Sequence, residues 1–256
     1  MTDSIAARDA YARTVAARVT ASDRLDDGTF AVTLDRTVFY PGGGGQPSDT
    51  GWLRATSSRE GPEPRGWNVR GARRSGESIV HLVDPEDDPP APGEGVTAEI
   101  DWTRRHLLMR THTALHTLCG VVWRDYGAQV TGGNMEPGSG RMDFEFERMS
   151  GELVGEIERK VNEELTAERD VVVRLLPREE AFAIPDLIRT KINLLPEGIR
   201  QVRVVEIVGL DVQADGGTHV ANTREVGLVR VTGYESKGRI NKRIRLEVID
   251  TTAVGG

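Results

Sequence analysis

The chain has 256 residues, of which 38% are hydrophobic and 29% charged, a balance that supports a folded globular protein with a real core. No apolar run approaches the roughly 20 residues that span a bilayer, and a single cysteine, Cys119, excludes an internal disulfide. The formal net charge of −7 argues against a polyanionic partner as a sum, but screening beyond about 8 Å lets local basic clusters act on their own.

The start, Met1-Thr2-Asp3-Ser4, carries an early acid and lacks the basic opening and apolar stretch of a signal peptide. With the lone cysteine, it predicts a reducing, cytoplasmic setting. Segments 15–20 and 30–34 read as strands flanking Asp26-Asp27-Gly28, a turn sequence suited to a hairpin. Further strands are expected at 51–54, 67–71 and 78–83. Between them, 57–65 holds Gly61, Pro62 and Pro64 among polar residues and reads as a surface loop. The acidic, proline-rich run 84–95 reads as a linker or long loop. This half is expected to be a small β-barrel.

After Asp101 the periodicity changes. Segment 102–122 is helical, with Leu108, Leu115, Leu118 and Val122 near one stripe, and 152–165 is a second amphipathic helix. Strands are expected at 141–146, 171–175, 202–207, 226–231 and 244–248. Strands and helices mixed without regular βαβ alternation predict an α+β domain. The expected organisation is a β-barrel domain over 1–100 followed by an α+β domain over 101–256.

Two regions carry chemistry. The first is the run from Thr37 to Gly51, where Gly42, Gly43, Gly44 and Gly45 leave the backbone uncovered and Gln46 adds a donor and an acceptor. Such a loop suits a polar ligand, and Phe39, Tyr40 and Pro41 anchor one end. It lacks the Lys-Ser/Thr of a nucleotide-triphosphate loop.

The second is a set of histidines. His112 and His116 lie four apart in a helical stretch, which stacks them on one face about 6 Å apart along the axis, within reach of one metal ion. Thr113 stands where a zinc protease needs its glutamate, so peptidase chemistry is disfavoured. His219, in Asp215-Gly216-Gly217-Thr218-His219-Val220, lies on a glycine turn between two strands. A turn presenting Asp215 and His219 together would complete three histidines and one oxygen ligand, the pattern of a catalytic metal. Cys119 is nearly two turns from His112 and reads as a buried structural residue. Basic clusters stand at Arg70, Arg73 and Arg74, at Arg104, Arg105 and Arg110, and at Lys237, Arg239, Lys242, Arg243 and Arg245. Each is a solvated face or a binding surface.

In order, these segments resemble the editing domain of alanyl-tRNA synthetases and its free-standing relatives, the AlaX proteins. Residues 39–47 are similar to the glycine-rich barrel motif. Asp101-Trp102 with Arg104-Arg105, then Arg110, His112, Thr113 and His116, resemble the first metal-ligand helix. Thr131-Gly132-Gly133-Asn134 with Arg141-Met142-Asp143-Phe144 is similar to a further stretch. Gly216-Gly217-Thr218-His219-Val220 with Thr223, Glu225 and Gly227 resembles the second ligand motif, and 236–245 the basic tail. The likeness holds from about residue 10 to residue 250 and is to the medium-length, free-standing type. Two residues depart: Asp215 stands where the family usually has cysteine, and Gly42 where it often has glutamate. A carboxylate at 215 either ligates a zinc or points away, and as a ligand it admits other divalent ions more readily.

The resemblance implies hydrolysis of tRNA(Ala) wrongly charged with serine, or secondly glycine, with one Zn2+ per chain held by His112, His116, His219 and Asp215. It implies catalytic roles for Gln46 and Thr37, the latter meeting the serine hydroxyl. Substrate would lie against Gly43, Gly44, Gly45 and Thr218, with tRNA on Arg104, Arg105, Lys237, Arg239, Arg243 and Arg245. The rival expectations are a hydrolase of another aminoacyl-tRNA ester and a non-catalytic tRNA-binding protein with a structural zinc.

Overall fold

The computed structural model describes residues 1–56, 65–85, 88–189 and 198–249. The chain divides into two compact units, Met1–His106 and Leu107–Gly256.

The first unit contains β1 (Asp3–Ser4), β2 (Thr14–Arg24), β3 (Phe30–Leu34), β4 (Arg36–Thr37), β5 (Gly51–Ala55), β6 (Gly66–Ser75), β7 (Ser78–Val83) and β8 (Gly95–Ile100). Six of these close a barrel in the order β2-β3-β7-β6-β5-β8, while β1 and β4 form a short parallel pair. Closure follows from alternation: in β5, Gly51, Leu53 and Ala55 point inward while Trp52 and Arg54 face out. Val32, Leu34, Phe39, Trp67, Val69 and Val96 fill the interior. The hairpin at 24–30 forms as the turn residues predict, with Gly28 at φ +85°. Gly51 is required for a different reason. A Cβ there would sit 2.1 Å from the Glu99 carbonyl oxygen, so only a bare backbone lets β5 pack beside β8.

Of the two readings of 84–95, a linker or a long loop, the loop holds: its described residues form no helix or strand before Gly95, where β8 begins, pairs with both β2 and β5 and closes the barrel. Gly95-Val96-Thr97-Ala98-Glu99-Ile100 is short and follows four prolines, which hid its strict alternation. The loop expected at 57–65 lies almost wholly outside the described residues.

The unit boundary falls within α1 (Trp102–Tyr126). Beyond it come β9 (Val130–Glu136), β10 (Ser139–Glu145), α2 (Gly151–Thr166), β11 (Val171–Pro177), α3 (Arg178–Phe182), β12 (Gln201–Ile207), β13 (Asp211–Ala214), β14 (Leu228–Ser236) and β15 (Asn241–Ile249). They form two antiparallel sheets, β14-β15-β10-β9 and β11-β12-β13. The α2 helix is capped by Ser150, whose hydroxyl accepts from the Leu153 N–H at 3.2 Å, and buries Val154, Ile157, Val161 and Leu165. The stripe of Leu108, Leu115, Leu118 and Val122 on α1 is buried as its spacing predicts. The fold is α+β with a closed six-stranded barrel. No helix among the described residues is long and apolar enough to cross a membrane.

Candidate metal centre

In the second unit, α1 presents His112 and His116 from successive turns, their ring centroids 5.0 Å apart. The chain leaving β13 brings a third ring against both. His219 lies 4.3 Å from His112 and 4.6 Å from His116, centroid to centroid. Asp215 completes the group, and one ligand atom from each of the four residues lies within 4.8 Å of all the others. The three histidines are 4–5% exposed.

The glycine turn aims Asp215 into this cluster. Its Oδ2 accepts from the Gly217 N–H at 2.6 Å, while Arg203 donates to its backbone carbonyl at 3.0 Å. The carboxylate then lies 3.1 Å from His219 Nε2 and 3.7 Å from His112 Nε2. Thr113 sets the other side of His219, its hydroxyl 3.2 Å from Nδ1 and accepting from the Val220 N–H at 3.3 Å. The residue in the protease base position is therefore a support for the third histidine.

Burial drives His112 well below its usual range and His219 down to about 4, so both rings are neutral near pH 7 with lone pairs to offer. Burial alone would raise the Asp215 carboxyl, but the neighbouring histidines outweigh it and hold the group well below its usual range. His116 is likewise lowered by burial yet raised on balance, chiefly by Asp211. Asp211 Oδ2 lies 3.3 Å from His116 Nδ1, but off the line of a formed hydrogen bond, so that buried nitrogen has no hydrogen-bond partner.

Three buried imidazoles and a partly buried carboxylate packed this closely are costly without a compensating charge. Three imidazoles and a carboxylate, each offering a ligand atom within 4.8 Å of the others, fit a divalent cation. Cys119 is excluded from the group. It is buried one turn further on, and burial pushes its thiol well above the usual range.

Sequence reasoning missed Asp211, which also accepts from Gln213 Nε2 at 2.7 Å. The available signal was a buried-face acid in the alternating Asp211-Val212-Gln213-Ala214, together with Gly120 on α1, where a Cβ would meet the Asp211 Cβ at 2.9 Å.

In the first unit the glycine run forms a tight turn. Gly42, Gly43, Gly44 and Gly45 all have positive φ, between +60° and +128°, and Gly43 and Gln46 exchange backbone hydrogen bonds of 3.0 Å. Gln46 is buried. Asp49 closes the run, accepting from the Tyr40 N–H at 2.6 Å. Thr37 is fully buried, with its hydroxyl 2.7 Å from His81 Nε2 and accepting from the Phe39 N–H at 3.1 Å. His81 Nδ1 lies 3.0 Å from the Val32 carbonyl oxygen and must donate to it, so Nε2 accepts the Thr37 proton.

Residues 202–245 match the model of the threonyl and alanyl tRNA synthetase second additional domain, and residues 12–104 match that of class II (A) tRNA synthetases. The alanyl-tRNA editing protein AlaX-M of Methanosarcina barkeri is 36% identical over 98% of this chain and 100% of its own length. That of Saccharolobus solfataricus is 35% identical over 95% and 98%. The chain belongs to the AlaX family. The alanine–tRNA ligase of Pyrobaculum neutrophilum is also 36% identical over 89% of the chain, which spans 25% of that enzyme.

The basic residues of the AlaX motifs fall into distinct settings. Arg105 is fully buried, pairs with Asp49, and donates to the Val38 and Ala10 carbonyls at 2.8 Å, so it holds the glycine turn and is not a surface cation. Arg104 reaches the Ser48 carbonyl at 3.3 Å. Arg243 binds Asp143 at 2.6 and 2.8 Å, while Arg245 and Lys237 both pair with Glu235. Arg239 is exposed. Thr218 is fully buried beside His219.

Proposed function

We propose that this AlaX chain is a cytoplasmic, trans-editing hydrolase that removes serine, and secondly glycine, from tRNA(Ala). The observation that carries the reading is the buried cluster of His112, His116, His219 and Asp215, formed at the family's ligand motifs. These four residues would hold one Zn2+. Bound there, the cation supplies Lewis acidity and a coordination position for water or for the substrate.

The chain's own groups prepare that chemistry. Neutral His112 and His219 offer lone pairs, Thr113 fixes the His219 ring, and Asp211 faces the far nitrogen of His116. Within the second unit, Thr218 beside His219 is proposed to contact the aminoacyl end; within the first, the backbone of Gly43, Gly44 and Gly45 and the amide of Gln46 are proposed as substrate contacts. Thr37 is proposed to recognise the serine hydroxyl. Its own proton is directed at His81, so it would act as an acceptor, and serine offers the donor that alanine lacks. A site built for such a bond discriminates by factors of up to about 10⁴–10⁵.

The test is deacylation of tRNA(Ala) charged with serine, glycine or alanine, run beside metal analysis. Wild type should hold about one zinc per chain and release serine fastest, and His112→Ala or His219→Ala should lose zinc and activity together. Full activity in a metal-stripped double variant would sink the reading. Tight tRNA binding with no release of any amino acid would favour a non-catalytic binding protein.

A further inference from the structure

The basic residues of the second unit divide by partner. Lys237, Arg243 and Arg245 face Glu235 or Asp143. Among the described residues Arg148, Arg239 and Lys242 make no ion pair, although the chain is acidic overall. These three line one open groove of about 850 Å3, between the start of α2 and the turn joining β14 to β15. Ser150 and Ser236 lie on its wall, and Glu147 is the single acid in the lining.

Lys242 gives the groove its character. The residue is only 5% exposed, and its ammonium donates to the Gly238 and Arg239 carbonyl oxygens at 2.8 and 2.9 Å. An ammonium has three donors, so one is left over. A nearly buried cation held by carbonyl dipoles, with no carboxylate beside it, is only partly compensated. Arg148 and Arg239 are exposed and add two planar donor forks at the same place.

We propose that this groove seats the RNA backbone, with Arg148, Arg239 and Lys242 converging on phosphodiester oxygens. The inference rests on the reading of the protein as one that acts on tRNA. An open groove with an incompletely neutralised floor suits a polymeric anion, held through phosphates with no reading of base sequence. It also moves the RNA contact away from Arg243 and Arg245, whose charges are matched within their own sheet.

The experiment measures salt-dependent binding of uncharged tRNA(Ala) by the full chain, by Arg148→Gln with Arg239→Gln, and by a control carrying Arg8→Gln with Arg174→Gln. The control removes the same charge from cations paired with Asp3 and Glu206. The groove variant should flatten the log–log salt slope by about 1.4–1.8, and the control should not. With charged tRNA the groove variant should raise KM at least several-fold while kcat and zinc content hold. Lys242→Gln should add a further loss of slope, and its thermal midpoint reports whether it folds. A groove-variant slope equal to wild type or to the control overturns the proposal. Binding of uncharged tRNA needs no hydrolysis, so a groove-dependent slope in a protein that deacylates nothing would overturn the editing reading alone. Deacylation with a KM indifferent to the groove would overturn the groove alone, and no tRNA binding at all would overturn both.

Discussion

At residue 215 the chain carries a hard oxygen donor where its motif is usually completed by a soft thiolate. The turn geometry shows that the substitution keeps the donor aimed at the histidines, since Asp215 Oδ2 is oriented by the Gly217 N–H. Thiolates favour zinc over harder divalent ions, whereas carboxylates discriminate less. Asp215→Cys should therefore keep about one metal per chain and raise the preference for Zn2+ over Mn2+ at least tenfold in a competition titration. An unchanged preference would mean that residue 215 does not ligate. His81 shows the opposite kind of residue, one whose importance no local pattern announces. Its partner Thr37 is 44 positions away, and only the barrel brings them together. Burial pulls its pKa down to about 4. The unfolded chain takes up a proton near pH 6.5 and the folded chain does not, so stability is full above that value and falls as the pH drops towards 4. The loss over the whole window is on the order of 3 kcal/mol. His81→Gln should show a flatter dependence of its urea midpoint between pH 7 and 5 than wild type. Parallel curves would show that His81 is not the titrating group. By contrast, His112, His116 and His219 were legible in advance, because helical spacing and a glycine turn are local signals.

At the scale of elements, alternation and turn chemistry revealed most strands, and failed where composition masked them. The β8 strand was hidden behind prolines, and β9 was hidden by Gly132 and Gly133, although both pair along their length. Arg105 marks the limit of reading a motif by residue type. As a cation in a basic run it suggested an RNA contact, and only its depth in the first unit shows that it ties the start of α1 to the glycine turn. Asp49 and Arg105 side chains are both fully buried, so removing one leaves the other uncompensated. Arg105→Ala should cost about 3–5 kcal/mol in urea unfolding and expose the 42–45 turn to proteolysis. A loss under about 1 kcal/mol would show that the pair is dispensable.

For the whole molecule, the division into two units places the candidate metal cluster entirely in the second, while the glycine turn and three of the four tryptophans lie in the first. Ligand binding stabilises only the structure that holds the ligand, by about 2.7 kcal/mol when free zinc is a hundred times its dissociation constant. Stripping the metal should therefore lower a calorimetric transition belonging to the second unit. Unfolding followed by Trp52 and Trp67 should stay in place. A common shift of both transitions would show that the two units unfold as one.

The single cysteine turns this difference into a clock. Cys119 sits on α1 one turn beyond His116, buried, its thiol pushed away from ionisation. A thiol reagent can reach it only when the helix lifts off its neighbours, so native-state labelling counts rare openings of the segment that carries two of the four residues proposed to hold the ion. With no second thiol in the chain, every modified molecule reports the same event, and the ratio of labelling rates with and without zinc would measure how firmly the ion keeps that door shut.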